Sequence, residues 1–276
     1  MQFPNFRYIF APVRRVRPHP RGADAPYGGK RSGYGVGMDG ELRGGNMNAV
    51  RRVGDTVMRV AGPWTPTVHR YLQQLADAGI AGIPRPLGIA DGHEILSFVA
   101  GDVPEYPLPA YVWTDPALAE AAAVLRRLHD ASASLARSTG TWQSPSHEPA
   151  EVICHNDFAP HNLAFRYGRV VGVIDFDMAS PGPRVWDLAY LATRMVPLTT
   201  ERHEGTADEH DWTRRIRLML GAYGSDIPPA EVIRVAIERL SDLAAFTRAK
   251  ADELGKPELL DHAALYDRDA DYLGRL

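Results

Sequence analysis

A short stretch of the chain concentrates residue types that could carry out phosphoryl transfer. Residues 155–162 read His-Asn-Asp-Phe-Ala-Pro-His-Asn, an H-x-D-x-x-x-x-N pattern directly after the apolar segment 152–154. Asp175 follows Asn162 by 13 residues, directly after a second apolar segment, 170–174. Short apolar segments of this kind indicate buried strands. The polar residues therefore lie at predicted strand ends, where separate parts of a chain can meet.

These residue types suit the two tasks that phosphoryl transfer sets a protein. One carboxylate must orient the acceptor hydroxyl and take its proton, while carboxylate and amide oxygens must hold Mg²⁺ against the phosphates. A loop that carries Asp157 and Asn162 can face the acceptor with the first and the metal with the second. Asp175 would then supply the anionic metal ligand.

Residues 38–101 are predicted to form a small sheet with one helix. A hairpin turns at Gly54-Asp55, between two runs rich in β-branched residues. A stripe of apolar residues predicts a helix over 67–78. Two more strands are predicted at 87–89 and 94–99.

Residues 102–276 are predicted to be mainly helical. Asp115, followed by a proline, is expected to be the N-cap of the first helix. Further helical patterns cover about 185–196, 210–222, 229–253 and 258–274. The chain therefore predicts an α+β fold of two lobes, with a cleft at a hinge near residues 100–104.

Residues 1–37 differ from the rest of the chain in charge and composition. They carry seven Lys or Arg against one acid and are rich in Pro and Gly. Such a segment cannot bury enough apolar surface to offset its ordering entropy. We expect a disordered basic tail, and the sequence leaves open whether Met38 is the natural start.

Composition excludes several classes of protein. No stretch of 18 uninterrupted apolar residues occurs, so no membrane span is expected. The single cysteine, Cys154, forbids an internal disulfide and suggests a reducing compartment. A net charge of −3 argues against nucleic acid as the main partner. We therefore expect a cytoplasmic monomer or homodimer with neither a membrane nor a nucleic-acid partner.

The paired motifs resemble those of the aminoglycoside phosphotransferase (phosphotransferase enzyme) family, within the protein-kinase-like superfamily. Its catalytic loop usually reads H-G-D-x-x-x-x-N, and its metal motif begins I-D, like Ile174-Asp175 here. The resemblance covers residues 42–195 in order. It implies a two-lobed kinase-like fold with ATP, or alternatively GTP, and Mg²⁺ as cofactors. The resemblance implies that Asp157 is the catalytic base and that Asn162 and Asp175 bind Mg²⁺. It also implies that His155 supports the loop and that Asp187 holds the loop backbone.

The nucleotide side departs from the kinase pattern. Kinases grip the phosphates with a Lys on the third strand, paired with a Glu on the next helix. The cation that aligns best with the kinase lysine is Arg59. The helix predicted over 67–78 has no Glu, and His69 or Val68 occupies the position expected for the kinase glutamate. We expect Arg59 to clamp phosphate without a pairing carboxylate, the alternative being a surface charge. The resemblance further implies a phosphate-covering loop and a purine-binding hinge at Gly44, Gly45, Asn46, Ser97 and Val99.

The acceptor is the least defined part of the prediction. Members of the family that bind aminoglycosides hold the polycation with carboxylates of the helical lobe. The corresponding candidates here are Asp208, Glu209, Asp211, Asp267 and Asp271. The alternative is that these acids form solvated surfaces.

We expect phosphoryl transfer to a hydroxyl of an antibiotic-like or metabolic small molecule. The other hypothesis is a pseudokinase-like protein that binds nucleotide or a partner without turnover.

Other polar residues near the motif have simpler interpretations. His129 is expected to be a packed helix histidine, and Asp177 either a structural carboxylate or a second metal ligand. His155 and His161 lack a third residue at zinc-ligand spacing.

Overall fold

A computed structural model describes residues 40–42, 50–196, 198–201 and 211–276, and the structural statements below concern these ranges. The predicted tail at 1–37, the loop Gly44-Gly45-Asn46 and the acids Asp208 and Glu209 lie outside the described residues.

The amino-terminal lobe is built on a five-stranded antiparallel sheet. Its spatial order is β1-β2-β3-β5-β4. Gly54, with a φ of 58°, provides the turn between β2 and β3, which confirms the predicted hairpin. The strands are β1 (Gly40–Leu42), β2 (Val50–Val53), β3 (Thr56–Val60), β4 (Pro86–Ala90) and β5 (His93–Ser97).

One helix, α1 (Thr65–Asp77), completes this lobe. Its apolar stripe buries Val68, Tyr71, Leu72 and Leu75, as the helical spacing predicts. The ring of Tyr71 also meets Phe176 of the second lobe edge to face, with centroids 5.8 Å apart. The helix therefore packs against the segment that directly follows Asp175.

The carboxy-terminal lobe is mainly helical, as predicted. Its helices are α2 (Asp115–Ser132), α3 (Arg184–Met195), α4 (Trp212–Tyr223), α5 (Pro229–Leu254) and α6 (Leu259–Leu273). The predicted N-cap of α2 was wrong by one residue. The cap is Thr114, whose hydroxyl oxygen accepts the backbone NH of Ala117 at 3.4 Å, and Asp115 is the first helical residue. No helix among the described residues is long and apolar enough to cross a membrane.

Two short antiparallel ribbons flank the H-x-D-x-x-x-x-N motif and Asp175. One pairs β6 (Val152–Cys154) with β9 (Ser180–Gly182), and the other pairs β7 (Leu163–Arg166) with β8 (Arg169–Val173). Strand β9 was not predicted, because its Ser-Pro-Gly sequence lacks strand-forming residues.

The two lobes meet through close contacts between backbones. The NH of Val173 donates to the carbonyl of Gly82 at 2.8 Å, and Asp102 and Phe165 exchange two backbone hydrogen bonds. Gly82 has a φ of 75°, and a Cβ at this position would lie only 2.2 Å from the carbonyl oxygen of Val171. This approach therefore requires glycine.

Alanine substitutions at two neighbouring glycines test this contact. Gly79 has a φ of 78° but open space where a Cβ would lie, whereas Gly82 has both a positive φ and the clash. We expect Gly79→Ala to lose about 1–2 kcal/mol of unfolding free energy from backbone strain. Gly82→Ala should lose about 1–3 kcal/mol more from overpacking. Denaturant unfolding measures both values, and equal losses would contradict the proposed lobe contact.

Candidate active site

Two hydrogen bonds fasten the loop at 155–162 to the end of β8. The imidazole Nε2 of His155 lies 3.0 Å from the carbonyl oxygen of Ile174, and the NH of Ile174 donates to the carbonyl of Asn162 at 2.9 Å. The NH of Asp157 donates to Nδ1 of His155 at 3.3 Å, so the ring proton belongs on Nε2. His155 therefore links the loop directly to the residue before Asp175.

The buried carboxylate of Asp187 holds the backbone of the same loop. Its oxygens accept the NH groups of His155 at 2.6 Å and Asn156 at 2.9 Å. His129 is buried beside it, with Nε2 3.1 Å from Asp187 and Nδ1 2.7 Å from the hydroxyl of Tyr223. Burial raises the pKa of Asp187, but the hydrogen bond and charge of His129 outweigh it, so the pKa is below its usual range. The carboxylate is therefore ionised at neutral pH.

His129, Asp187 and Cys154 bring three possible metal-ligand atoms within 4.8 Å of one another. The hydrogen bonds to the loop and to His129 already engage the oxygens of Asp187. Burial raises the pKa of the Cys154 thiol well above its ordinary value, so no thiolate is available. This group is better explained as support for the loop.

Asn156 occupies the position at which the resembling motif usually has glycine. Its φ is 63°, in the left-handed region that asparagine tolerates better than most residues. Its side-chain amide donates to the carbonyl of Met178 at 2.8 Å and to the hydroxyl of Ser180 at 2.7 Å. Arg239 on α5 donates to the carbonyl of Asn156. The loop is thus anchored on both sides.

The carboxylate of Asp157 lies in a polar, largely buried setting. The hydroxyl of Tyr190 donates to one oxygen at 2.8 Å, and the amide of Asn162 donates to the other at 2.9 Å. Nε2 of His161 lies 3.4 Å from that second oxygen. Burial raises the pKa of Asp157, but the charge and hydrogen bond of His161 and the bond from Tyr190 leave it well below its usual range. Asp157 is therefore ionised.

Arg59 joins the amino-terminal sheet to the end of β8. Its Nη1 donates to Asp175 at 2.7 Å, its Nη2 donates to Asp177 at 2.5 Å, and its Nε donates to Glu94. The prediction that no carboxylate pairs with Arg59 was wrong, because β5 supplies Glu94 directly opposite Arg59 in the sheet. The alternative of a surface charge was wrong too, since only 11% of the Arg59 side chain is exposed.

His69 extends this cluster to α1. Its Nε2 lies 3.0 Å from the second carboxylate oxygen of Glu94. Glu94 is a buried residue, with 1% of its surface exposed. Burial raises the pKa of Glu94, but hydrogen bonds from His69 and the charge of Arg59 lower it overall. The helix therefore contacts the Arg59–Glu94 pair through a histidine.

Negative charge exceeds positive charge around Arg59. Burial, with repulsion from Asp175 and Glu94, raises the pKa of Asp177 to about 7, although Arg59 opposes the shift. Asn162 uses its NH₂ group for the backbone carbonyl and carboxylate of Asp157, which leaves its amide oxygen for another partner. Carboxylate and amide oxygens in a negatively charged setting fit Mg²⁺.

Among the described residues, the other predicted site residues form no hydrogen bond or ion pair with this cluster. Ser97 makes two bonds to the backbone of Arg85, while the backbone of Val99 has no hydrogen-bond partner in the described residues. Asp211 pairs with Arg214 and Asp267 pairs with Arg248, and Asp271 is exposed on α6. These pairings agree with the alternative of solvated surface acids.

Sequence reasoning missed Glu94, Tyr190 and Arg239. Tyr190 lies one helical turn after Asp187, so its spacing could have placed it beside the loop. Glu94 and Arg239 act across distant segments, and no local signal identifies them.

The sequence is similar to a known protein family and to one characterised relative. The model of the phosphotransferase enzyme family matches residues 106–219. The trifolitoxin immunity protein of Rhizobium leguminosarum bv. trifolii is 32% identical over 194 residues, which cover 66% of this chain and 73% of that protein.

Solved structures show the same fold at low sequence identity. A choline/ethanolamine kinase family protein from Mesorhizobium loti is 18% identical, with a TM-score of 0.58 over 89% of this chain and 90% of that chain. The GDP complex of a mutant aminoglycoside 2'-phosphotransferase is 14% identical, with a TM-score of 0.60 over 88% of this chain and 94% of that chain.

Replacing Asp187 by asparagine tests the anchoring of the loop. The variant places an NH₂ group beside backbone donors, and breaking a buried ionic contact typically costs about 3–5 kcal/mol. Because the folded pKa is depressed, the stabilisation is present above the unfolded pKa of about 3.9 and is lost as pH falls through the folded value. We therefore expect Asp187→Asn to be less stable than wild type at pH 7 and to have a weaker acid dependence.

Denaturant unfolding at several pH values measures both effects. Asp242→Asn, an exposed change on α5, serves as the matched control and should stay within about 0.5 kcal/mol of wild type. A wild-type unfolding free energy for Asp187→Asn at pH 7 would contradict the anchoring role.

Proposed function

The chain belongs to the phosphotransferase enzyme family, whose fold is protein-kinase-like. We propose that it transfers the γ-phosphate of ATP, with Mg²⁺, to a hydroxyl of a small molecule. The proposal rests on four polar residues that come together where the two lobes contact each other. Arg59 bonds Asp175, and Asn162 bonds Asp157. GTP is an alternative donor, since a structural neighbour was solved with GDP.

In the proposed step the acceptor hydroxyl lies against Asp157. Its oxygen forms a bond to the γ-phosphorus, the bond from that phosphorus to the β–γ bridging oxygen breaks, and ADP leaves with the bond's electrons. The hydroxyl proton passes through Asp157 to solvent. A carboxylate with so depressed a pKa is a weak base, so its larger contribution is to orient the hydroxyl.

Asn162, Asp175 and Asp177 are the residues that would hold Mg²⁺. The ion, when bound, neutralises phosphate charge during transfer. The two hydrogen bonds to Ile174, one from His155 and one to the backbone of Asn162, join the loop to the residue directly before Asp175. The metal ligands and Asp157 are thus positioned by one connected loop.

Arg59 would bind the phosphates in place of the usual lysine. Burial opposes its positive charge, but Asp177, Asp175 and Glu94 raise its pKa further above the ordinary value. Glu94 and His69 would hold the guanidinium in position, as the helix glutamate does for lysine in kinases. The unpaired backbone of Val99 would receive the purine, with Ser97 keeping the hinge attached to β4.

One observation favours the second candidate, a nucleotide-binding or partner-binding protein without turnover. Arg59 bonds directly to Asp175, so a persistent ion pair would compete with the metal. In the enzyme, phosphate oxygens must draw the guanidinium away from Asp175. The likeness to the trifolitoxin immunity protein supports a role in protection against a toxic compound for either candidate.

Single carboxylate substitutions test the proposed roles. Asp157→Asn should retain Mg·ATP binding and lower turnover by at least about 10²-fold, as expected for a positioned base. Asp175→Asn should weaken nucleotide binding and its Mg²⁺ dependence together. ATP turnover with a screened acceptor and calorimetric titration of Mg·ATP give the two values, with Asp242→Asn, an exposed change on α5, as the control. Near-normal turnover by Asp157→Asn would remove that residue from the mechanism.

Substitution of Arg59 distinguishes the two candidates. As a phosphate clamp it should contribute about 1.5–3 kcal/mol, so Arg59→Ala should bind Mg·ATP roughly 10- to 150-fold more weakly. Arg59→Lys should not restore the wild-type affinity, because one ammonium cannot span three carboxylates. Glu94→Gln, which preserves side-chain shape, should weaken binding by a smaller factor.

Unchanged or tighter nucleotide binding by Arg59→Ala would contradict the clamp and favour the binding protein. Far-ultraviolet circular dichroism of each variant identifies a loss of fold, and Glu94→Gln keeps the test valid if Arg59→Ala does not fold.

A further inference from the structure

Arg194 lies on the face of α3 that supports Asp157. It follows Tyr190 by four residues, one helical turn, and the hydroxyl of Tyr190 binds the Asp157 carboxylate at 2.8 Å. The guanidinium of Arg194 lies 4.9 Å from the ring centroid of Tyr190 and 5.8 Å from that of Tyr266 on α6. A cation is thus separated from the proposed acceptor-orienting carboxylate by one aromatic ring.

Arg194 differs from two other arginines of this lobe in that it forms no ion pair with another described residue. Arg184 and Arg215 each pair with a carboxylate. Within the described residues the guanidinium of Arg194 lies beside the rings of Tyr190 and Tyr266 and pairs with no carboxylate, and its buried Nε has no hydrogen-bond partner. A largely buried cation is costly unless an anion accompanies it. An anionic group bound beside Arg194 would meet this need.

Tyrosine rings border the space between Arg194 and the catalytic loop. Tyr106 is 38% exposed, and its ring centroid is 6.2 Å from that of His161, which lies beside Asp157. Burial raises the pKa of the Tyr106 hydroxyl, Arg194 lowers it, and Asp157 and Glu201 raise it. The charges of Arg194 and Asp157 therefore both act on the Tyr106 hydroxyl.

Two of the acids that were expected to bind a polycationic acceptor are already paired with arginines. Asp211 is engaged by Arg214, and Asp267 is engaged by Arg248. Arg214 bridges Asp211 to Asp115, the first residue of α2. His129, which contacts the loop support Asp187, lies at the other end of α2. Glu201 is a further carboxylate whose charge acts on the Tyr106 hydroxyl, where its effect on the pKa opposes that of Arg194.

We propose that Arg194 anchors an anionic group, a carboxylate or a phosphate monoester, on an acceptor whose apolar part packs against Tyr106 and Tyr266. The proposal rests on the proposed function, since it takes the hydroxyl beside Asp157 to be the reacting group. A guanidinium binds either anion through two parallel donors, and the tyrosine rings provide flat walls for an aromatic or cyclic body. Arg194 is thus a specificity-determining residue for an anionic acceptor.

Ligands that differ only in end-group charge test the proposal. Benzoate, phenyl phosphate, benzamide and benzylamine are titrated into the full chain with saturating Mg·ADP, and affinities are obtained from concentration-dependent thermal shifts. We expect benzoate or phenyl phosphate to bind more tightly than the neutral and cationic probes. Arg194→Gln should weaken the anion roughly 10- to 150-fold, the range for a charge-assisted contact. Arg194→Lys should recover part of the loss.

Arg127→Gln, an exposed substitution on α2, is the matched control and should bind the anions like wild type. The preferred anion distinguishes a carboxylate from a phosphate ligand. Tighter binding of benzylamine, anion binding that Arg194→Gln leaves unchanged, or no binding of either anion would each overturn the proposal.

The nucleotide titration separates this inference from the proposed function. If Mg·ATP stabilises the chain and is turned over in an Asp157-dependent manner while the anions fail, the anionic anchor alone is wrong. If Mg·ATP neither binds nor is turned over, the proposed function is wrong.

Discussion

A carboxylate buried away from water remains ionised only where protein donors replace the lost solvent. Asp187 meets this condition with two backbone NH groups of the catalytic loop and with His129. The same bonds determine the path of the loop, because His155 and Asn156 are bound through their backbones. Their side chains then reach Ile174 and Met178. The position of Asp157 relative to Asp175 thus depends on one buried charge.

The second organising feature is the group of carboxylates around Arg59. Kinases place the phosphate-binding lysine on a strand and its glutamate on a helix, whereas Arg59 and Glu94 lie opposite each other on adjacent strands. Helix α1 keeps its link through His69. An arginine with three separate donors suits this arrangement, because it can bond Glu94 while still reaching the end of β8. The change from lysine therefore accompanies a change in the position of the partner acid.

Much of the fold and the centre of the site could be predicted from the sequence, because their signals are local. The hairpin at Gly54, the apolar stripe of α1 and the strand-then-motif order at Asp157 and Asp175 depend on neighbouring residues. The pairing of Arg59 with Glu94 depends on the register of two strands separated by a helix. The setting of Arg194 among tyrosines is apparent only once α3 and α6 are packed together.

We propose that Asn162 and Asp175 would hold a metal ion once the phosphates of a nucleotide draw Arg59 away from Asp175. Electron paramagnetic resonance of Mn²⁺, which binds oxygen ligands like those of Mg²⁺, tests this directly in the full chain. We expect Mn²⁺ to bind weakly in the absence of nucleotide. When ADP is added, we expect a single tight Mn²⁺ site, because the phosphates then bind the guanidinium of Arg59. Absence of a tight Mn²⁺ site in the presence of ADP would contradict it.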